Sequence, residues 1–353
     1  MGVITFVGDI SLNDKYIELY RKGINPFYAV QPILNSSDFV VGNLECMAKG
    51  KHGENKFKIP RLTTNVDTLK YLKQININVV CLAHNHIYDH LEDGYQQTTQ
   101  FLKKNSIRYL GAGDKNYGAS IPLILEKNGI KAGILNYVTK DTNPNLSFDS
   151  SLYLNYFEKE RSINEIKELK AKVNYVILCL HWGGRIENGL YPDWDQPKIA
   201  KQLVDAGADL IIGHHSHTIQ PYEVYKGKYI FYSLGNFCFS DIYNENKLYS
   251  RLSFRQKKGM IVRVELTDST MQIKKSFVKN KDGYIIPNKN IFNVINITQQ
   301  QLFYKIIQNH KLFWLIYYFK LNKINPVFNY IFVQKGNILK LFNFKKVIKH
   351  IQK

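Results

Sequence analysis

Five short apolar runs, each ending in carboxylate, amide or imidazole groups, constrain this chain more than any other feature. Val3 to Val7 runs into Gly8-Asp9, Phe39 to Val41 into Gly42-Asn43-Leu44-Glu45, and Asn78 to Leu82 into Ala83-His84-Asn85-His86. Tyr175 to Leu180 runs into His181-Trp182-Gly183, and Ala208 to Ile212 into Gly213-His214-His215-Ser216-His217. Amphipathic stretches separate several of these runs, and that rhythm predicts strands alternating with helices in an α/β core. Helices are expected over 67–74 and 94–104 from apolar spacing, over 161–172 from charge pattern, and over 197–205 after a proline start. Asn128-Gly129 and Lys226-Gly227 sit between apolar runs as hairpin turns. A third antiparallel pair is expected over 262–278, closing the core near residue 285. Hairpins among crossover units imply a mixed sheet or two packed sheets.

The strand ends also locate the chemistry. In open α/β sheets, ligands bind beyond the carboxyl ends of the strands. Asp9, Glu45, Asn85, His86, His181, His214, His215 and His217 are therefore expected on one rim, although they span more than half the chain. Each alone has a plain reading as a cap, a turn residue or a core histidine. Five strand ends that all supply such groups suit a dinuclear site, because imidazole favours Zn, Fe or Mn and a carboxylate can bridge two cations.

The strings FVGDI, VGNLE, LAHNHIYD, HWGG, AGADLIIGHHSH and FYSLGNF, in that order, resemble the bacterial capsule-synthesis (poly-γ-glutamate biosynthesis) proteins of the calcineurin-like metallophosphoesterase superfamily. The resemblance runs from about residue 2 to about residue 265. It implies a four-layer α/β/β/α sandwich and two divalent metal ions, Mn, Fe or Zn. By motif position, Asp9 would bind metal one and Glu45 would bridge. Asn85 and His181 would bind metal two, and His215 and His217 would be the paired ligands, one per metal. His86 would contact phosphate or protonate the leaving group, with Asp89 orienting a ligand from behind. Arg185, following His181-Trp182, is a candidate clamp for phosphate or carboxylate, against the plainer reading of a loop arginine. Asn236 is a lesser candidate for lining the pocket, and His214 is an extra imidazole with no assigned role.

The first motif departs from the superfamily pattern Asp-x-His: here it reads Asp9-Ile10-Ser11, and the bridging group is Glu45 rather than Asp. The capsule branch departs in the same way. Two functions follow as expectations. One is a metal-dependent phosphoesterase-like hydrolase of capsule or surface-polymer biosynthesis, acting on an anionic polymer or phosphate ester. The other is a non-hydrolytic accessory subunit of a polymer synthase or export complex, which binds anionic polymer through the metal cleft. The chain has no Gly-rich phosphate loop, no GxSxG elbow and no positioned cysteine nucleophile.

Composition settles what remains. At 353 residues, 44% hydrophobic and 13% aromatic, the chain has ample apolar surface for a core, and disorder is excluded. Its 4 cysteines, Cys46, Cys81, Cys179 and Cys238, are far apart, which excludes a disulfide scaffold and favours a reducing compartment. The first residues read as a strand rather than a signal peptide, and no window reaches the ~18 apolar residues of a spanning helix. A cytoplasmic protein, peripheral at the inner face of the membrane, is the expectation. The formal charge is +19, yet no acidic residue follows Asp282, and eleven lysines lie beyond it. We therefore divide the chain into a catalytic-type domain over 1–285 and a basic, aromatic-rich helical extension over 286–353. Residues 312–319 are apolar or aromatic, and 338–351 have amphipathic helical spacing. Residues 298–353 are expected either to lie on an anionic membrane surface or to pack as a helical extension. Charge alone speaks for nucleic acid, and no recognised motif supports it.

Overall fold

The computed structural model describes residues 1–113, 118–147, 150–244, 247–289, 301–305, 308 and 310–324. Two mixed sheets organise the described residues up to Lys289. The larger sheet has the order Tyr284–Pro287, Met271–Lys281, Lys258–Leu266, Gly2–Ile10, Phe39–Leu44, Val79–Cys81, Arg108–Leu110. Asn236–Cys238 adds to it as a parallel partner of the first strand. The smaller sheet has the order Tyr222–Tyr225, Lys228–Phe231, Leu210–His214, Tyr175–His181, Ile130–Val138, Leu123–Lys127. Pairs formed by crossover units are parallel, and the predicted hairpins are antiparallel, two of them at the edges of the smaller sheet. Both hairpin turns have positive φ at their two central residues, 52° and 77° at Asn128 and Gly129, 49° and 75° at Lys226 and Gly227. That geometry matches the right-handed strand twist.

The two sheets face each other across one apolar layer. Ile4, Phe6, Val41 and Val262 from the larger sheet meet Ile134, Ile177, Leu210 and Ile212 from the smaller. On the larger sheet's other face, Val7, Val40 and Leu82 pack with helix residues Tyr16, Leu34, Tyr71 and Leu102. Helices Lys159–Lys170 and Gln196–Asp205 bury Ile166, Leu169, Ala200 and Leu203, and the first of them packs on strand Tyr175–His181. The result is the expected α/β/β/α sandwich. Because both faces of each central strand are covered, those strands read as continuous apolar runs.

Element limits shift for local reasons. The helix expected over 67–74 is regular only from Lys70 to Gln74, since Val66 to Leu69 form a turn closed by Leu69 N–H donating to Asn65 O at 3.3 Å. The helix expected over 161–172 runs from Lys159 to Lys170 instead, because Glu158 and Lys159 extend its first turn and Ala171 caps its end.

A close approach aligns the site. Asp9 N–H donates to Gly235 O at 2.9 Å, and a Cβ on Gly8 would lie 1.9 Å from that same oxygen. Any side chain at position 8 would force apart the first strand and the turn that delivers Asn236. The glycines of FVGDI and SLGNF are thus one structural unit.

The chain divides into two compact units, Met1–Gln300 and Gln301–Lys353. In the second unit, helix Lys311–Phe319 leaves Leu312, Phe313, Leu315, Ile316 and Phe319 exposed and buries Trp314. The amphipathic stretch over 338–351 lies outside the described residues. Among the described residues, no helix is long and apolar enough to cross a membrane.

Candidate metal centre

Strand register sets the rows of functional groups. Asp9 pairs with Asn43 on one side and with Asn236 on the other, while His181 pairs with His214. Glu45 follows the second strand directly, and Asn85 follows the third by four residues. The loop after strand Leu210–His214 turns sharply: His215 has φ 93° and His217 φ 56°. A left-handed backbone costs of order 1 kcal/mol or more at each non-glycine residue and is typical of functional sites.

Six predicted ligands come together in a buried cluster. Glu45, His181 and His215 form one group whose donor atoms all lie within 4.8 Å of one another; Asp9, Glu45 and His217 form another. Glu45 belongs to both. Its Oε1 is 3.6 Å from His181 Nε2 and 3.7 Å from His217 Nε2. His181 Nε2 also lies 3.1 Å from His215 Nδ1 and 2.9 Å from Asn85 Oδ1. Asn85 thereby joins the first group.

The cluster's protonation shows what it lacks. Both carboxylate oxygens of Glu45 are buried with no hydrogen-bond partner, and burial drives its pKa well above the usual range. Burial also works against charge on Asp9, but hydrogen bonds from His214 and His217 hold that carboxyl well below its ordinary value. His217 shows the converse. Burial disfavours its charged form, yet Glu45 and Asp9 push it up to about 10. Orphaned carboxylate oxygens among imidazoles are the donor set a divalent transition metal satisfies, and the residues fit such ions.

Sequence reasoning missed Asn43, Glu187 and Lys58, and left His214 without a role. Asn43 Nδ2 donates to Asp9 Oδ1 at 2.9 Å and lies 3.3 Å from His181 Nδ1, tying the two groups together. It sits inside VGNLE, so the motif itself carried the signal. His214, the unassigned imidazole, places Nδ1 at 3.0 Å from the same Asp9 oxygen. Asp9 Oδ1 is therefore occupied twice. Asn236 Oδ1 lies 3.0 Å from His217 Nδ1. Glu187, an exposed residue, brings Oε1 to 3.7 Å from His217 Nε2, and Lys58, buried, reaches the backbone carbonyl of Asn85. No motif marked Glu187 or Lys58.

His86 stands beside the ligands in a dyad. Its Nδ1 is 2.7 Å from Asp89 Oδ2, which also accepts Leu62 N–H at 2.6 Å. Burial pushes Asp89 up to about 7 and holds His86 well below its ordinary value. Ser11, at the place of the superfamily imidazole, donates its hydroxyl to Asn13 Oδ1 at 2.8 Å. Arg185 is engaged elsewhere: Nη1 lies 2.7 Å from Asp195 Oδ1 and 3.7 Å from Asp193 Oδ2.

The profile of the bacterial capsule synthesis protein family PGA_cap matches residues 3–241. The chain belongs to this family. Among its relatives, the chain is 32% identical over 268 residues to the PGA biosynthesis protein CapA of Bacillus subtilis (strain 168), covering 74% of this chain and 70% of that protein. It is 31% identical over 258 residues to the capsule biosynthesis protein CapA of Bacillus anthracis, covering 69% of this chain and 61% of that protein. Superposition on a 5'-nucleotidase precursor from Thermus thermophilus gives a TM-score of 0.46 at 15% identity, covering 94% of this chain and 60% of the other. Within the PGA_cap family segment lie all the candidate ligands, from Asp9 to His217.

Proposed function

We propose that the cluster holds two divalent transition metals bridged by Glu45, and that the chain is a phosphoesterase-like hydrolase of capsule or surface-polymer biosynthesis. The observation that carries this reading is Glu45, which has two buried, unpartnered oxygens and is shared by both donor groups. Asp9, Glu45 and His217 would hold one metal, and Glu45, Asn85, His181 and His215 the other. When bound, the metals would polarise a phosphoryl oxygen and supply a nucleophile near neutral pH.

The chain's own residues supply the rest. Asn43 and His214 bond Asp9 Oδ1, while Oδ2 accepts His215 N–H at 3.4 Å and lies 3.3 Å from His217 Nδ1, so the carboxylate is fixed as outer-shell partners fix a ligand. Asp89 orients the His86 ring through Nδ1. The other ring nitrogen, Nε2, is free of protein partners among the described residues, so it can exchange a proton with the oxygen of a leaving group. Arg185, already paired with Asp195, is no part of this scheme. A metal-loaded preparation should hydrolyse a generic phosphodiester such as bis(p-nitrophenyl) phosphate, and chelation should abolish turnover. Ser11 favours the second reading, an accessory subunit of a synthase or export complex, because metal one has one imidazole fewer than the superfamily pattern. Full metal loading with no turnover of any phosphoester would select that reading.

The second unit suits an anionic membrane surface. Leu312, Leu315, Ile316 and Phe319 share one exposed helix face at i, i+3, i+4 and i+7, and the sequence beyond Asp282 has lysines and no acids. Binding to vesicles rich in anionic lipid should weaken as the Debye length falls from ~10 Å at 0.1 M salt to ~3 Å at 1 M. A packed helical extension would bind no vesicles at any salt.

A further inference from the structure

We infer that Lys58 is a substrate-binding residue whose ammonium takes an oxyanion of the substrate beside the metal cluster. The inference rests on the metallohydrolase reading above for the word substrate; the anion site itself rests on the following geometry. Lys58 is 7% exposed, and its Nζ donates to two backbone carbonyls, Asn85 O at 3.1 Å and Asn143 O at 2.9 Å. An ammonium has three N–H groups, so one remains. Among the described residues, no carboxylate lies within the 4 Å of an ion pair with it. Asp89, Glu187 and Glu45 act on it only from beyond contact distance, so an oxyanion arriving in the cleft would be its direct partner.

Its position is next to the chemistry. One of its two carbonyl partners belongs to Asn85, whose side chain meets His181, and the following residue is His86. Burial holds the Lys58 ammonium below its ordinary pKa, against the opposing pull of Asp89, Glu187 and Glu45. All of these residues lie on or beside the candidate cluster.

The lysine is also held in place. Arg61 Nη1 donates to Lys58 O at 2.9 Å and to Asn55 O at 3.3 Å, while Arg61 Nε reaches Glu54 at 2.9 Å. Asn55 Nδ2 donates to Asn145 O at 2.9 Å, and Asn145 Nδ2 to Phe57 O at 3.3 Å. The segments around 55–58 and 143–145 are stitched together, with the ammonium between them. A compact point charge on a fixed stem suits a phosphate or carboxylate oxygen, the chemistry these two anions share.

The test is anion binding by calorimetry on the full chain, using inorganic phosphate and acetate in separate titrations, with metal content measured on the same samples. Lys58→Met should keep the wild-type metal content and bind phosphate about 10-fold or more weakly, since a hydrogen bond to a charged group is worth ~1.5–3 kcal/mol. Lys58→Arg should restore most of the affinity and guards against a folding defect in the methionine variant. If acetate binding rather than phosphate binding depends on position 58, the oxyanion is a carboxylate. If neither anion's affinity changes while the melting temperature falls, Lys58 is a clasp between loops and the inference is wrong. Absence of metal from the wild type would overturn the metallohydrolase reading instead, and the phosphate comparison would still read the lysine.

Discussion

Glu45→Gln should strip the protein of both metals at once. Every other candidate ligand belongs to one donor group, so its loss should empty or weaken one position; Glu45 belongs to both. Replacing an outer-shell partner of a metal typically costs ~10–100-fold in affinity, and loss of a bridging ligand should exceed that. Elemental analysis would therefore fall from about two metals per chain toward none. The fold should survive. Both Glu45 oxygens are buried without a hydrogen-bond partner and burial favours the neutral acid, so a neutral amide of the same shape adds no buried charge. The apo form of Glu45→Gln should thus melt no lower than apo wild type. A large drop in stability would mean that Glu45 serves the fold rather than a metal.

His86→Ala should behave in the opposite way. His86 lies outside both donor groups and is engaged with Asp89 at 2.7 Å. The variant should keep its full metal content and lose turnover by ~10²- to 10⁴-fold, the usual worth of a positioned acid–base group. Asp89→Asn should lose less, because the ring nitrogen facing the substrate survives while its orientation is relaxed. Unchanged rates in His86→Ala would remove the dyad from the mechanism. Equal loss of metal would make His86 a ligand.

How much was legible differs between strand and loop. The parallel strands were readable because they are covered on both faces and so appear as unbroken apolar runs, and their polar ends announced Asp9, Glu45, Asn85, His181, His215 and His217. Register then did the assembly: residues far apart in sequence, such as Asp9 and Asn236, become neighbours through a single strand pairing. Asn43 was hidden in plain view, since an amide inside an apolar strand also reads as an ordinary break in the run. Lys58 and Glu187 were not legible at all. Both reach the cluster from loops whose path is set by tertiary hydrogen bonds, such as those of Arg61 and Asn55, and a lone lysine or glutamate in a loop carries no pattern. Arg185 shows the converse case. Its place after His181-Trp182 suggested a clamp, and only the folded loop reveals Asp195 within 2.7 Å.

Anomalous diffraction from crystals of the full chain, collected at the Mn, Fe and Zn edges, bears most directly on the dinuclear centre. Two peaks ~3.5–4 Å apart, both within bonding distance of the Glu45 carboxylate, are the expected result. A single peak away from Glu45, or none in protein purified without chelator and supplied with all three metals, would contradict it.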